Sequence, residues 1–208
     1  MVGPKTVITA GHCVLDQRAG QMATIDVMPG LNHDDLPFGK ISVSGENTEV
    51  HSKWKSSFDP DFDIGVIHLP EPLGEETGWF SFAVAEKEDL LAKQMNVGGY
   101  PFAVGQEAVS GKELWWHKEA IVDTSERRIY YATDTSGGQS GSPVWAFEDE
   151  ADGPIVIGIH AYGASLIKAN TADGGYQKAN SAPRIDADIA NQISKWLSMP
   201  ASDLTPPL

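Results

Sequence analysis

Short apolar runs bounded by turn residues recur along the chain: Thr6–Ala10, Ile64–Leu69, Met95–Gly99, Ile129–Ala132 and Pro154–Ile159. Each has the length of a β-strand and is flanked by Gly, Pro, Asn or Asp, so the pattern predicts an all-β barrel or sandwich. Helical periodicity is confined to two places. Lys87–Gln94 predicts a short helix. Further on, Ile185, Ile189, Ile193, Trp196 and Leu197 recur at three and four residues, with Pro183 just ahead. That spacing predicts an amphipathic C-terminal helix packed on the last barrel, followed by a frayed tail, Ala201–Leu208. The Gly/Glu/Pro-rich stretch Pro70–Gly78 is the expected boundary between an N-terminal unit, 1–78, and a C-terminal unit, 79–200.

Composition narrows the function. The chain has 208 residues, enough for one compact unit or two small ones sharing an interface. Its formal net charge of −14 argues against nucleic acid and anionic membranes as partners, because phosphate contacts need clustered Lys and Arg. No apolar run approaches a membrane span. Cys13 is the only cysteine, so no internal disulfide can form. A monomer is expected.

Three motifs carry candidate chemistry. In Gly137-Gly138-Gln139-Ser140-Gly141-Ser142-Pro143, a serine is flanked by glycines. Glycine takes positive φ without a Cβ penalty and lets backbone N–H groups turn toward one point, where an oxyanion can form. A plain Gly/Ser surface turn is the alternative. In Thr9-Ala10-Gly11-His12-Cys13, a histidine ends an apolar run and is placed to be a general base or a buried core residue. In Asp61-Phe62-Asp63-Ile64-Gly65-Val66-Ile67, an aspartate opens an apolar strand. A buried carboxylate there can accept Nδ1–H from a histidine, or it is an ordinary turn residue.

In the chain order His, Asp, Ser, the three together resemble the trypsin-like serine peptidases. The likeness runs over nearly the whole chain. Within that group it is strongest to the staphylococcal glutamyl endopeptidases and their Bacillus relatives, through Gly99-Tyr100-Pro101, Thr135–Val144, Ile157-Gly158-Ile159-His160 and the terminal helix with Trp196. The resemblance implies a chymotrypsin-like fold of two Greek-key β-barrels, with the active site in the cleft between them. It implies His12 as general base, Asp63 as its orienting acid and Ser140 as nucleophile. The N–H groups of Gly138 and Ser140 would form the oxyanion hole. Asp61 and Asp59 compete for the acid role, and Asp63 is preferred because it immediately precedes the Ile-Gly-Val strand. Thr135 and His160 match the positions that bind an acidic P1 side chain, which needs hydrogen-bond donors when partly buried.

The implied activity is a secreted serine endopeptidase cutting protein or peptide substrates after Glu, and after Asp as a weaker choice, with no cofactor and no metal. A peptidase of other P1 preference is the alternative, as is an inactive protease-like binding protein. The latter draws on the family's N-terminal strands, which have no counterpart here, so the first barrel is expected to be incomplete. No signal peptide is visible. The resemblance implies a partner cysteine for Cys13 upstream, and a free, buried cysteine behaving as a small hydrophobe is the alternative. Asp59-Pro60-Asp61-Phe62-Asp63 is not a calcium loop, since the positions an EF-hand reserves for Gly and Glu hold Ile64 and Pro70. His33 beside Asp34 and Asp35 reads as a solvated loop, as does Glu148–Asp152. Trp115-Trp116 reads as barrel core plus one exposed ring.

Overall fold

The computed structural model describes residues 1–84, 86–91, 93–102, 110–147, 153–168 and 175–198. The tail Ala201–Leu208 and the acidic stretch Glu148–Asp152 lie outside them.

The first strands are β1 (Thr6–Thr9), the short hairpin β2 (Leu15–Asp16) and β3 (Gly20–Gln21), β4 (Thr24–Val27), β5 (Ile41–Ser44), β6 (Thr48–Val50) and β7 (Gly65–His68). Helix α1 (Ser52–Ser57) stands between β6 and β7. β7 pairs antiparallel with β1 on one side and β6 on the other, while β4 pairs with β5. A short helical turn, α2 (Gly74–Thr77), leads to β8 (Ser81–Phe82) and α3 (Lys87–Leu90). Then come β9 (Gln94–Gly99), β10 (Trp115–Thr124), β11 (Arg128–Tyr131), β12 (Pro143–Phe147), β13 (Pro154–Ile159), β14 (Tyr162–Lys168) and β15 (Tyr176–Pro183). Among the described residues these strands form one sheet in the order β14-β15-β11-β10-β9-β12-β13-β8. The chain closes on α4 (Ala187–Leu197). The expected all-β class with a terminal helix is what the structure has.

Burial explains why the strand runs are so apolar. Ile67 points into a cluster with Val14, Val43, Leu69 and Leu73. Val66, one residue away and on the opposite face, joins Ile8, Ala10, Ile64, Phe82, Val156, Ile159, Ile185, Ile189, Ile193 and Trp196. Successive strand residues face opposite ways, so a strand buried on both sides reads as a continuous hydrophobic run. β13 does the same: Ile157 enters the core of the large sheet with Met95, Val97, Ile121 and Tyr131, while Val156 faces the shared cluster.

Two local expectations change. The helix expected over Lys87–Gln94 ends at Leu90, because Gln94–Gly99 is claimed by pairing with β10. Ladder hydrogen bonds outweigh a weak local helical preference. Trp115 and Trp116 are both exposed, at 48% and 61%, so neither fills the barrel core. Trp116 instead donates its indole N–H to Asn96 Oδ1 at 3.2 Å.

The terminal helix packs against Val156 and Ile159 of β13, as its spacing predicts. It packs into the cluster that also holds Ile8 and Val66 from β1 and β7. Asp186 caps it, accepting from the Ile189 N–H at 2.9 Å. The helix therefore joins both sets of strands.

Candidate active site

His12 lies in a single 3₁₀ turn, Gly11–Cys13, just after β1. Asp63 ends another, Pro60–Phe62, just before β7. Because Thr9 pairs with Gly65, the two turns sit at the same end of the β1–β7 ladder. Asp63 is fully buried. Its Oδ1 accepts from the His12 backbone N–H at 2.8 Å, and its Oδ2 lies 2.7 Å from His12 Nδ1. Gly11 has to be glycine: a Cβ there would stand 2.8 Å from Trp54 Cδ1 and 3.0 Å from Asp63 Oδ1. Burial acts to lower the His12 pKa, but hydrogen bonds and charge from Asp63 and Cys13 outweigh it and raise the pKa above the ordinary imidazole range. The Tyr162 ring packs 6.2 Å from the His12 ring, and burial together with the facing Asp63 carboxylate pushes its phenol pKa up.

The competing aspartates have other work. Asp59 caps the Pro60–Phe62 turn, accepting from the Asp61 N–H at 3.1 Å. Asp61 is part-exposed and sits 3.6 Å from Arg128 Nη1. Arg128, from the large sheet, also donates to the Pro60 carbonyl at 2.7 Å and to Ser181 Oγ at 2.5 Å. It thereby pins the turn that carries Asp63.

Ser140 is half-buried in the turn before β12. The flanking Gly138 and Gly141 take φ of +93° and +86°, a region that side chains disfavour. A Cβ on Gly141 would lie 2.3 Å from Thr9 Oγ1, which sets the Ser140 turn directly against the segment leading to His12. The Gly141 N–H donates to the His160 carbonyl, and the His160 N–H donates to the Ser142 carbonyl, both at 2.8 Å. Among the described residues, the N–H groups of Gly138 and Ser140 have no hydrogen-bond partner, and no hydrogen bond joins Ser140 Oγ to His12. Such bonds are often loose without substrate. Ser140 and Gly138 border a largely apolar cleft of about 450 Å³, walled on its other side by Ile8, Thr9, Ile25 and Met28.

His160 is 3% exposed. Its Nδ1 lies 2.6 Å from the hydroxyl of fully buried Tyr131. Burial and the nearby His12 charge lower its pKa to about 4, so the ring is neutral at physiological pH. Thr135 is half-buried in the segment between β11 and the Ser140 turn, with no side-chain partner among the described residues. Sequence reading missed Tyr131, Arg128 and Tyr162. No local motif marks them; strand register alone brings them here.

Cys13 is a free thiol packed at the edge of the shared core. Among the described residues no group of three or more His, Cys, Asp or Glu is placed to hold a metal ion.

A buried carboxylate on an imidazole, with a glycine-flanked serine turn packed against the strand that leads to the imidazole, is the arrangement expected of the chymotrypsin-like class. Residues 1–159 match the trypsin-like peptidase domain family, and the chain belongs to it. It is 32% identical to a glutamyl endopeptidase of Bacillus licheniformis, over 94% of this chain and 58% of that one. It is 31% identical to a Bacillus subtilis protein named an extracellular metalloprotease, over 94% of this chain and 56% of that one. The chain thus spans somewhat over half the length of these relatives. Among solved structures, a Glu endopeptidase in complex with MPD superposes with a TM-score of 0.77 at 21% identity, covering 96% of this chain and 84% of that one. A thermostable serine protease from an extremophilic microorganism gives 0.72 at 19%, covering 94% and 85%. The shared fold is that of the chymotrypsin-like serine proteases.

Proposed function

We propose that this chain is a serine endopeptidase cleaving protein or peptide substrates after Glu, built from two β units divided near Pro70–Gly78. The observation that carries the reading is the buried Asp63 carboxylate, 2.7 Å from His12 Nδ1, beside a turn whose Gly138 and Ser140 N–H groups have no partner among the described residues. In the proposed reaction Ser140 Oγ attacks the scissile carbonyl carbon while His12 Nε2 takes the hydroxyl proton. Asp63 holds the proton on Nδ1 and stabilises the imidazolium. The oxyanion of the tetrahedral intermediate is received by those two N–H groups. The C–N bond then breaks, His12 gives its proton to the leaving amine, and an ester to Ser140 remains. Water, deprotonated by His12, hydrolyses that ester and restores the serine.

The preference for Glu is supported by His160, held by backbone bonds to the nucleophile turn and left with one ring nitrogen unbonded among the described residues. The relatives named glutamyl endopeptidases support it too. The relative named an extracellular metalloprotease supports secretion. An active-site titration combined with a peptide library tests the proposal. The expected result is one acyl-enzyme per chain and cleavage after Glu. Absence of a burst would overturn the enzymatic reading. Cleavage after Lys, Arg or Phe with none after Glu would overturn the specificity.

A further inference from the structure

The hydrogen bond between Tyr131 and His160 has a direction that the surroundings decide. Tyr131 is fully buried, and His160 Nδ1, at 2.6 Å, is its hydroxyl's partner among the described residues. A buried phenol that does not donate its proton forfeits a hydrogen bond in an apolar core. Burial pushes the Tyr131 pKa up, so the hydroxyl keeps its proton, and burial also keeps the His160 ring neutral. A neutral imidazole carries a single N–H. If the phenol donates to Nδ1, that N–H is on Nε2. The ring is fixed in place as well. Its own backbone is tied to Gly141 and Ser142, the two residues that follow Ser140, and Tyr131 shares a buried core cluster with Met95, Val97 and Ile129.

We infer that Tyr131 is a positioning residue for substrate selection: its hydroxyl holds His160 in the Nε2–H tautomer, leaving a neutral donor for the oxygen of an acidic side chain. The inference rests on the reading of His160 as the contact for that side chain. Tyr131 itself touches no substrate. It acts by ensuring that the free nitrogen presents a proton rather than a lone pair, since a lone pair facing a carboxylate would repel it.

The test is ¹⁵N NMR of histidine-labelled Ser140→Ala protein at pH 7, which needs no substrate. His160 is expected to show a protonated Nε2 and a bare Nδ1 that accepts a hydrogen bond. A protonated Nδ1, or an imidazolium, would overturn the inference without touching the assignment of His160 to specificity. In Tyr131→Phe the tautomers should become mixed, and in the Ser140 background kcat/KM for a Glu substrate should fall about tenfold, the size of one neutral hydrogen bond. An unchanged tautomer in Tyr131→Phe would also overturn it. A peptide library showing no preference for Glu, alongside the expected spectrum, would instead overturn the specificity reading and leave the tautomer standing.

Discussion

Asp63 grips His12 twice, its Oδ1 accepting the backbone N–H at 2.8 Å and its Oδ2 bonding Nδ1 at 2.7 Å. The double contact fixes both where the ring sits and which of its nitrogens faces the cleft. Triad members act as a unit, so Ser140→Ala and His12→Ala should each lower kcat by roughly 10⁶. Asp63→Asn should lower it by roughly 10⁴ through the wrong tautomer. Asp61→Asn should leave kcat within a few-fold, since Asp61 pairs with Arg128 and not with His12. Steady-state kinetics on one peptide substrate checks all four. Asp61→Asn proving more damaging than Asp63→Asn would refute the choice of acid.

His12 should titrate above pH 6.5, because Asp63 and Cys13 outweigh the lowering effect of burial. The base works only when unprotonated. A raised pKa therefore moves the acidic limb of the kcat/KM profile to higher pH, and activity is lost as pH falls through it. NMR titration of His12 in Ser140→Ala protein reads the pKa directly. Adding Asp63→Asn removes a raising charge and leaves burial in place, so the pKa should drop. A rise would contradict the account.

Gly141→Ala should damage both stability and activity. Its φ of +86° costs a residue with a Cβ about 1–2 kcal/mol. The added methyl would also fall 2.3 Å from Thr9 Oγ1, so the Ser140 turn has to move away from the His12 segment. We expect a lower Tm and at least a hundredfold loss in kcat, in line with the sensitivity of catalysis to about 1 Å of misplacement. Wild-type kcat in this variant would show that the close contact does not position Ser140.

Arg128→Met should loosen the turn that carries Asp63. The variant loses bonds to the Pro60 carbonyl and Ser181 Oγ, each involving a charged donor and worth roughly 1.5–3 kcal/mol. Urea unfolding should show a lower midpoint, and kcat should fall more than KM rises. A midpoint shift with kinetics unchanged would confine Arg128 to stability.

His160→Ala should lower kcat/KM for Glu substrates by roughly 10–150-fold, the range for losing a hydrogen bond to a charged group. Reactivity of Ser140 toward a small titrant lacking a P1 side chain should persist. Loss of both would mean that His160 supports the nucleophile turn, to which its backbone is bonded, and does not select substrate.

His12, Asp63 and Ser140 stand out as candidates in the chain because each sits in a short local motif whose residue types have few other uses together. A glycine-flanked serine needs Gly138 and Gly141 at positive φ, and an aspartate opening an Ile-Gly-Val run is bound to be carried into a core. The doubly buried strands and the terminal helix were readable for the same reason, since burial writes its period into the sequence. Tertiary structure alone decided the rest. Tyr131 meets His160 because β11 pairs with β15, bringing Tyr131 opposite Asn180, while β13 delivers His160 from elsewhere in the sheet. Arg128 reaches Pro60 across 68 residues of sequence. Trp115 and Trp116 face opposite ways as neighbours on β10 and are both exposed, because neither face of the strand is covered at that end. Such contacts depend on strand register, and a one-residue slip would turn every side chain of a strand to its other face. No single segment carries that information; it exists only once the strands have paired.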